Sequence, residues 1–301
     1  MAPTSAKQHW TVLEILNWTT DHFGRAGIEN PRLNAELLLG KVLGVERIML
    51  YARFEREVDE ASRRTFRDLV RRRAGREPLQ YLLGHCEFYG RDFEVTPAVM
   101  VPRQETELVV EAALKRLPGD GKGAWAADVG TGSGVIAVSL AAERAGLRLV
   151  ATDQSAEALD VAARNARKHA VADRIAFARG NLAEPVGPAL PTGRRLDVLV
   201  SNPPYVPTGE LEDLQPEVRD HEPRAALDGG TDGLDVVRRL VPQAADLLAP
   251  GGWLVLELGE GQAAQAGGLA ARAGTFDAGA TETVRDAGGC ERVFCVRKAD
   301  P

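Results

Sequence analysis

Trp125-Ala126-Ala127-Asp128-Val129-Gly130-Thr131-Gly132-Ser133-Gly134-Val135-Ile136-Ala137-Val138-Ser139-Leu140-Ala141-Ala142-Glu143 is the run from which the architecture of this chain follows. Its first five residues read as a short strand, and the next five form a glycine loop. The remainder is an apolar run of helical length. Strand, glycine loop and helix open a doubly wound nucleotide-binding unit. The glycines allow a tight turn and let a ligand approach the main chain. The next strand, Leu147-Arg148-Leu149-Val150-Ala151-Thr152, ends in Asp153. A carboxylate about 20 residues beyond the loop is placed to accept from ribose hydroxyls.

The glycine spacing separates two kinds of ligand. Dinucleotide sites prefer G-x-G-x-x-G, where a helix N-terminus faces a pyrophosphate. Here the spacing is G-x-G-x-G, and Asp128 stands just before it. An acid there is a poor neighbour for a phosphate. It suits a cation, such as the amino group or sulfonium of S-adenosylmethionine.

Downstream, Asn202-Pro203-Pro204-Tyr205 follows the apolar strand Leu196-Asp197-Val198-Leu199-Val200. Each proline removes a backbone donor and fixes φ, so nearby carbonyls are free to accept from outside the sheet. Asn adds an acceptor and a donor, and Tyr adds a flat aromatic wall. That is a clamp for a planar group bearing N–H donors, such as an amide or the exocyclic amine of a base. Taken alone, Asn-Pro is also a common loop opener.

The rest of the chain supports a mostly parallel sheet. Helical runs at Glu105–Arg116, Ser155–His169, Leu234–Leu248 and Gly261–Ala273 alternate with strands at Ile175–Ala178, Leu196–Val200 and Trp253–Glu257. Two terminal strands near Thr281–Arg285 and Arg292–Arg297 close it. Alternating β and α elements place helices on both faces, and ligands then bind outside the strands' carboxyl ends. Glu87–Val95 reads as a β-hairpin around Gly90, and Pro185–Arg194 as a loop. Residues 9–76 read as a helical bundle: Thr11–Phe23, Pro31–Leu43 with Asn30 as N-cap, Glu46–Phe54 and Glu60–Arg76.

Composition narrows the function. The chain has 301 residues, enough for one large and one small domain, and a net charge of −6. Nucleic-acid binders usually carry a basic face, so direct nucleic-acid binding is not expected. The exception is Arg71-Arg72-Arg73, either a solvated helix face or a contact for an acidic partner. Cys86, Cys290 and Cys295 form no C-x-x-C pair, as suits reduced thiols. No metal motif occurs, and no apolar run is long enough to span a membrane. Met1–Gln8 lacks the apolar core of a signal peptide, so a cytoplasmic protein is expected.

These residues together resemble the class I S-adenosylmethionine-dependent methyltransferases. In detail they are similar to the protein-glutamine N5-methyltransferases of peptide chain release factors, the PrmC/HemK family. Gln80-Tyr81-Leu82-Leu83-Gly84 and Glu87-Phe88-Tyr89-Gly90 resemble that family's linker, and Val101-Pro102-Arg103-Gln104-Glu105-Thr106-Glu107 its I-P-R-P-E/D-T-E signature. Pro216–Arg219, Glu222–Leu227 and Asp228–Leu234 resemble the segment after the clamp. The chain departs from the family at Gln104, usually Pro, and at Asn181-Leu182, where an Asp is usual.

The resemblance implies an α/β, Rossmann-like fold with a mostly parallel seven-stranded sheet. It implies a helical substrate-recognition domain over 1–78, a hairpin linker over 79–100 and a catalytic domain over 101–301. S-adenosylmethionine would be held by Asp128, Gly130, Thr131, Gly132, Ser133, Gly134, Asp153, Asn181, Leu182 and Asn202. Asn202, Pro203, Pro204 and Tyr205 would bind the substrate, with Asn202, Pro203 and Tyr205 catalytic. The Asn202 side chain and the Pro203 carbonyl would accept the two N–H bonds of a glutamine amide, and Tyr205 would pack against its plane. Arg103, Glu105 and Glu107 fit either a loop over the pocket or a helix start stabilised by its acids. The partner implied is a class I release factor presenting a Gly-Gly-Gln loop to a monomeric enzyme. Three alternatives stay open: a ribosomal-protein glutamine methyltransferase, an N6-adenine-type methyltransferase acting on a flipped base, and a non-catalytic module that binds the cofactor.

Overall fold

The computed structural model describes residues 9–300, so Met1–Gln8 lies outside the described residues. The chain divides into two units: one holds the residues up to Gly84 together with Pro216–His221, the other His85–Gln215 and Glu222 onward.

In the first unit, local capping sets where the helices start. Thr11 accepts from Glu14 N at 3.3 Å and Glu14 accepts from Thr11 N at 3.0 Å, a capping box that opens α1 (Val12–Arg25). Its buried face is Val12, Ile15, Leu16, Thr19 and Phe23. In α2 (Pro31–Leu43), Pro31 takes the first turn as expected. Asn30 stands at the N-cap as expected, but without the capping bond that such a residue usually makes. Its φ is +48°. Instead Asn34 Nδ2 donates to the Asn30 carbonyl at 3.1 Å. Helix α3 (Arg47–Tyr51) is shorter than expected. Asp59 caps α4 (Glu60–Ala74), and α5 (Leu79–Leu83) is a turn too short for periodicity to signal.

The arginine run in α4 keeps a solvated face at Arg71 and Arg72 only. Arg71 pairs with Asp68 and Arg72 with Glu77. Arg73 is not on a solvated face: it is only 6% exposed. Its Nε donates to Asn34 Oδ1 at 2.8 Å, and its guanidinium meets Glu217 at 3.1 Å.

The second unit begins with the hairpin β1 (His85–Phe88) and β2 (Arg91–Glu94). Tyr89 and Gly90 turn it with φ of +51° and +66°, the double positive φ of a tight hairpin. Helix α6 (Glu107–Leu114) leads into the main sheet. Its strands and helices in chain order are β3 (Trp125–Val129), α7 (Val135–Glu143), β4 (Arg148–Asp153), α8 (Ala156–Lys168), β5 (Ile175–Arg179), α9 (Val186–Ala189) and β6 (Leu196–Ser201). After α10 (Pro216–Arg219), which belongs to the first unit, come α11 (Asp235–Leu247), β7 (Leu248–Glu257), α12 (Ala263–Ala273), β8 (Phe276–Arg285) and β9 (Glu291–Lys298).

The seven-stranded order is β5-β4-β3-β6-β7-β9-β8, parallel except at β9. This is the architecture the sequence implies. Two local features differ: α9 interrupts the expected loop at Pro185–Arg194, and β7 starts early, running through Pro250-Gly251-Gly252. Side chains alternate across each strand. Ala126, Leu149, Val198 and Val200 therefore join one core with α6 and α7, while Ala127, Val129, Val150 and Leu199 join the other with α11 and α12. Apolar residues on both faces suit a buried parallel sheet. From β3 the chain winds outward to β5, then returns to place β6 on the other side of β3. The carboxyl ends of β3 and β6 thus lie side by side, Val129 opposite Ser201. A doubly wound sheet binds its ligand at such a switch point.

Candidate active site

A cavity of about 340 Å³ opens at that switch point, within the range of small-molecule sites. Gly130, Thr131, Gly132 and Ser133 line it from the loop after β3. Asp153 lines it from the end of β4, Asn181 and Leu182 from the loop after β5, and Asn202, Pro203 and Pro204 from the end of β6. The structure therefore brings most of the sequence-derived site residues to one wall-to-wall space. Asp128, Gly134 and Tyr205 are not part of its wall.

The glycine loop is fixed by the neighbouring strand: Gly130 N and Thr131 N donate to the Thr152 carbonyl at 2.8 and 2.9 Å. Gly130 and Gly132 have φ of +74° and +54°, and a Cβ on either would meet open space. Gly134 serves a different purpose. A Cβ there would lie 3.0 Å from Ala162 Cβ, so its smallness lets α7 approach α8.

Asp128 lies beneath this loop, fully buried. Its Oδ2 accepts from Thr131 Oγ1 at 2.7 Å and from Ala137 N at 3.1 Å. Its Oδ1 has no partner among the described residues. Burial pushes its carboxyl up to about 6, against the two hydrogen bonds, which pull it down. Asp153 accepts from Gly132 N at 3.0 Å through Oδ2 and from Ser155 N at 2.9 Å through Oδ1. Each oxygen keeps a lone pair for a hydroxyl. The Asn181 amide is half used: Oδ1 accepts from Arg239 at 2.8 Å and Nδ2 donates to Glu184 at 2.9 Å. Leu182, with φ of +52°, is held through its carbonyl by Thr152 Oγ1 at 2.9 Å.

At the end of β6, Ser201 Oγ donates to the Val129 carbonyl at 2.7 Å and ties the two strand ends together. Asn202 Nδ2 then donates to Thr106 Oγ1 at 3.1 Å. Among the described residues no donor reaches Asn202 Oδ1 or the Pro203 carbonyl. Two acceptors thus stand free at the cavity. Tyr205 does not line this cavity. Pro203 and Pro204 line the cavity with Asn202, and the Tyr205 hydroxyl instead faces Glu257, pulling its carboxyl down. Burial, and then the Glu257 charge, push its phenol up to about 12. Its carbonyl accepts from Gln262 Nε2 at 3.0 Å. The glycine-rich segment after the clamp backs it closely, Gly229 N donating to the Val206 carbonyl at 2.8 Å.

Two site residues escaped sequence reasoning. Thr106, 2% exposed, accepts from Asn202 and neighbours Glu257, itself 1% exposed and with Oε2 unpartnered among the described residues. Burial pushes the Glu257 carboxyl up to about 7. A glutamate closing an otherwise apolar strand was the available signal. The Arg103 segment is pinned rather than loose: Arg103 pairs with buried Glu222 at 2.6 Å, and Glu107 accepts from Tyr89 N at 2.7 Å. Among the described residues there is no cluster able to hold a metal ion and no helix long and apolar enough to cross a membrane.

Comparisons with known proteins point to one family. Residues 14–84 match the PrmC N-terminal domain and residues 104–215 the methyltransferase small domain. A release factor glutamine methyltransferase of Geobacter sulfurreducens is 47% identical over 290 residues, covering 96% of this chain and 98% of its own. One from Rhodopirellula baltica is 38% identical over 302 residues, covering 99% and 100%. A crystal structure of a methyltransferase from Pyrococcus furiosus superposes with a TM-score of 0.51 at 18% identity, over 71% of this chain and 91% of that one. At that identity the likeness is one of fold.

Proposed function

The chain belongs to the family of release factor glutamine methyltransferases, and from that premise we propose that it methylates the side-chain N5 of the glutamine in the Gly-Gly-Gln loop of class I release factors. The methyl donor would be S-adenosylmethionine, which when bound supplies an electrophilic methyl group on a sulfonium.

The residues present fit that donor. Asp128 Oδ1 is a buried acceptor without a partner, suited to a cationic group. Gly130 and Gly132 leave space above their Cα atoms, and Asp153 keeps lone pairs for a ribose. Arg239 and Glu184 hold the Asn181 amide in place for contact with a base.

The observation that carries the reading is the pair of unsatisfied acceptors, Asn202 Oδ1 and the Pro203 carbonyl, at the cavity shared with the glycine loop. An amide nitrogen is a poor nucleophile because its lone pair is delocalised into the carbonyl. Two acceptors on its two N–H bonds align it and favour the positive charge that develops on it. Thr106 holds the Asn202 amide from behind. The clamp's own side chains, Asn202 to Tyr205, include no carboxylate or imidazole, so the proton leaves after transfer, once the nitrogen has become acidic.

Asn202→Ala should lower turnover about 10²- to 10³-fold and leave S-adenosylmethionine affinity unchanged. Isothermal calorimetry reads the affinity, and mass spectrometry of the release factor reads the methylated glutamine. Equal loss of both, or methyl transfer to a ribosomal protein or nucleic acid in place of the release factor, would overturn the reading. On this reading the enzyme would meet its protein partner in the cytoplasm and would act as a monomer.

A further inference from the structure

We propose that Glu257, acting through Thr106, is a positioning residue that sets which end of the Asn202 carboxamide faces the cavity. The proposal rests on the amide-clamp reading above.

A carboxamide is nearly symmetric in shape, so packing alone does not choose between its O and NH2 ends; the hydrogen-bond polarity around it does. Strand β7 pairs with β6 so that Leu256 sits opposite Ser201. Glu257 and Asn202 therefore follow at the same level. Thr106 stands beside both: it accepts from Asn202 Nδ2 at 3.1 Å and pulls the Glu257 carboxyl down, while Glu257 Oε2 is buried without a partner among the described residues.

A hydroxyl has one proton to give. A carboxylate only accepts, so ionised Glu257 takes the Thr106 proton. Thr106 Oγ1 is then left as an acceptor and draws the NH2 end of Asn202 toward itself. The Oδ1 end must face the cavity, where a substrate N–H needs it. When Glu257 is protonated, it can donate to Thr106, and the Thr106 proton is released toward Asn202. The amide is then satisfied the other way round and presents NH2 to the substrate amide, donor against donor.

The groups facing Glu257 are the Tyr205 hydroxyl after β6, Glu105 ahead of α6 and Arg292 on β9. Glu105 favours the protonated acid, and Arg292 and the hydroxyl favour the carboxylate. Burial sets the balance near neutrality, at about 7. The acceptor orientation is thus gained as pH rises through that value.

The experiment uses the full-length enzyme and a release factor. If the wild type transfers no methyl to glutamine, the clamp reading fails before this one is reached. Given an active wild type, Thr106→Val should lower kcat about tenfold, the worth of one hydrogen bond, with KM and S-adenosylmethionine affinity unchanged. Thr106→Ser should restore kcat to within about twofold of the wild type. The wild-type kcat should rise with pH through neutrality, and Glu257→Gln, which cannot ionise, should flatten that limb. A Thr106→Val kcat within about twofold of the wild type overturns the proposal, as does a wild-type pH limb retained in Glu257→Gln. Equal loss of kcat and cofactor affinity would make both residues merely structural. If Thr106→Val folds poorly, the Glu257→Gln profile decides alone.

Discussion

Asp128 is held uncomfortably. Buried, with one oxygen unpartnered, it binds its proton more tightly in the folded chain than in the unfolded one. A raised acid stabilises the fold below its unfolded pKa, and that contribution is lost as pH rises through the folded value. The window here runs from the ordinary value of 3.8 to about 6. Across it the loss amounts to up to about 3 kcal/mol. Asp128→Asn should flatten this slope, so that the stability difference between variant and wild type, read from urea melts without cofactor at several pH values, shifts toward the variant between pH about 4 and about 6. A cationic ligand favours the ionised acid, so S-adenosylmethionine affinity of the wild type should rise over the same window, and that of the variant should not. A parallel pH profile in the two proteins would count against Asp128 as the partner of a cation. At this scale the sequence was partly legible. Asn202 and the prolines announced themselves because polar and donor-less residues have no place at the end of a core strand. Asp128 was visible as an acid beside glycines, but its burial was not. Thr106 read as an ordinary helix start, and its link to Asn202 exists only once β6 and α6 are brought together.

Glycines carry the argument at the level of elements. The segment Asp228–Gly233 runs beneath the clamp. A Cβ on Gly233 would fall 2.2 Å from the Tyr205 carbonyl oxygen and 2.4 Å from Gln262 Nε2, at a φ of +77°. Gly233→Ala should therefore displace the clamp backbone and cost about 1–3 kcal/mol of stability. Turnover should fall while cofactor affinity holds. Gly132→Ala should show the opposite split. Its Cβ meets open space, but its φ of +54° strains any side chain, by about 1–2 kcal/mol, and the methyl narrows the ligand's approach. Cofactor affinity should fall first. Calorimetry and thermal melts on the two variants separate the cases, and the same split in both would refute the division of labour between loop and clamp. The alternation of strands and helices was legible because apolar runs of two lengths alternate along the chain. What escaped was local. Helix α5 is too short to show a period, and β7 begins inside a Pro-Gly-Gly that reads as a turn. Side-chain capping by Asn30 failed because its backbone is left-handed.

The two units share one chain unevenly, since Pro216–His221 belongs with the helices rather than with the sheet whose loops flank it in sequence. Nothing in Pro216-Glu217-Val218-Arg219 signals this, because its partners lie in α4 and just after it, and only folding brings them together. Glu217 meets Arg73 at 3.1 Å and Arg76 at 2.9 Å. The Arg73 side chain is 7% exposed and that of Glu217 16%. Breaking a pair so deeply placed leaves a buried guanidinium with too few acceptors, a loss of about 3 kcal/mol or more. Glu217→Ala should therefore loosen the helical unit specifically. Hydrogen exchange should accelerate in α2 and α4, which are joined through Asn34 and Arg73, while β3 and β6 keep their protection and S-adenosylmethionine binds as before. Glu217→Gln, which retains an acceptor for Arg73 but no charge, should fall between the two. Uniform acceleration in both units, or none in α4, would mean that this glutamate does not fasten the returning segment. If the helical unit is the surface that presents the substrate loop, as we propose, loosening the helices without touching the cofactor site should raise KM for the release factor more than it lowers kcat.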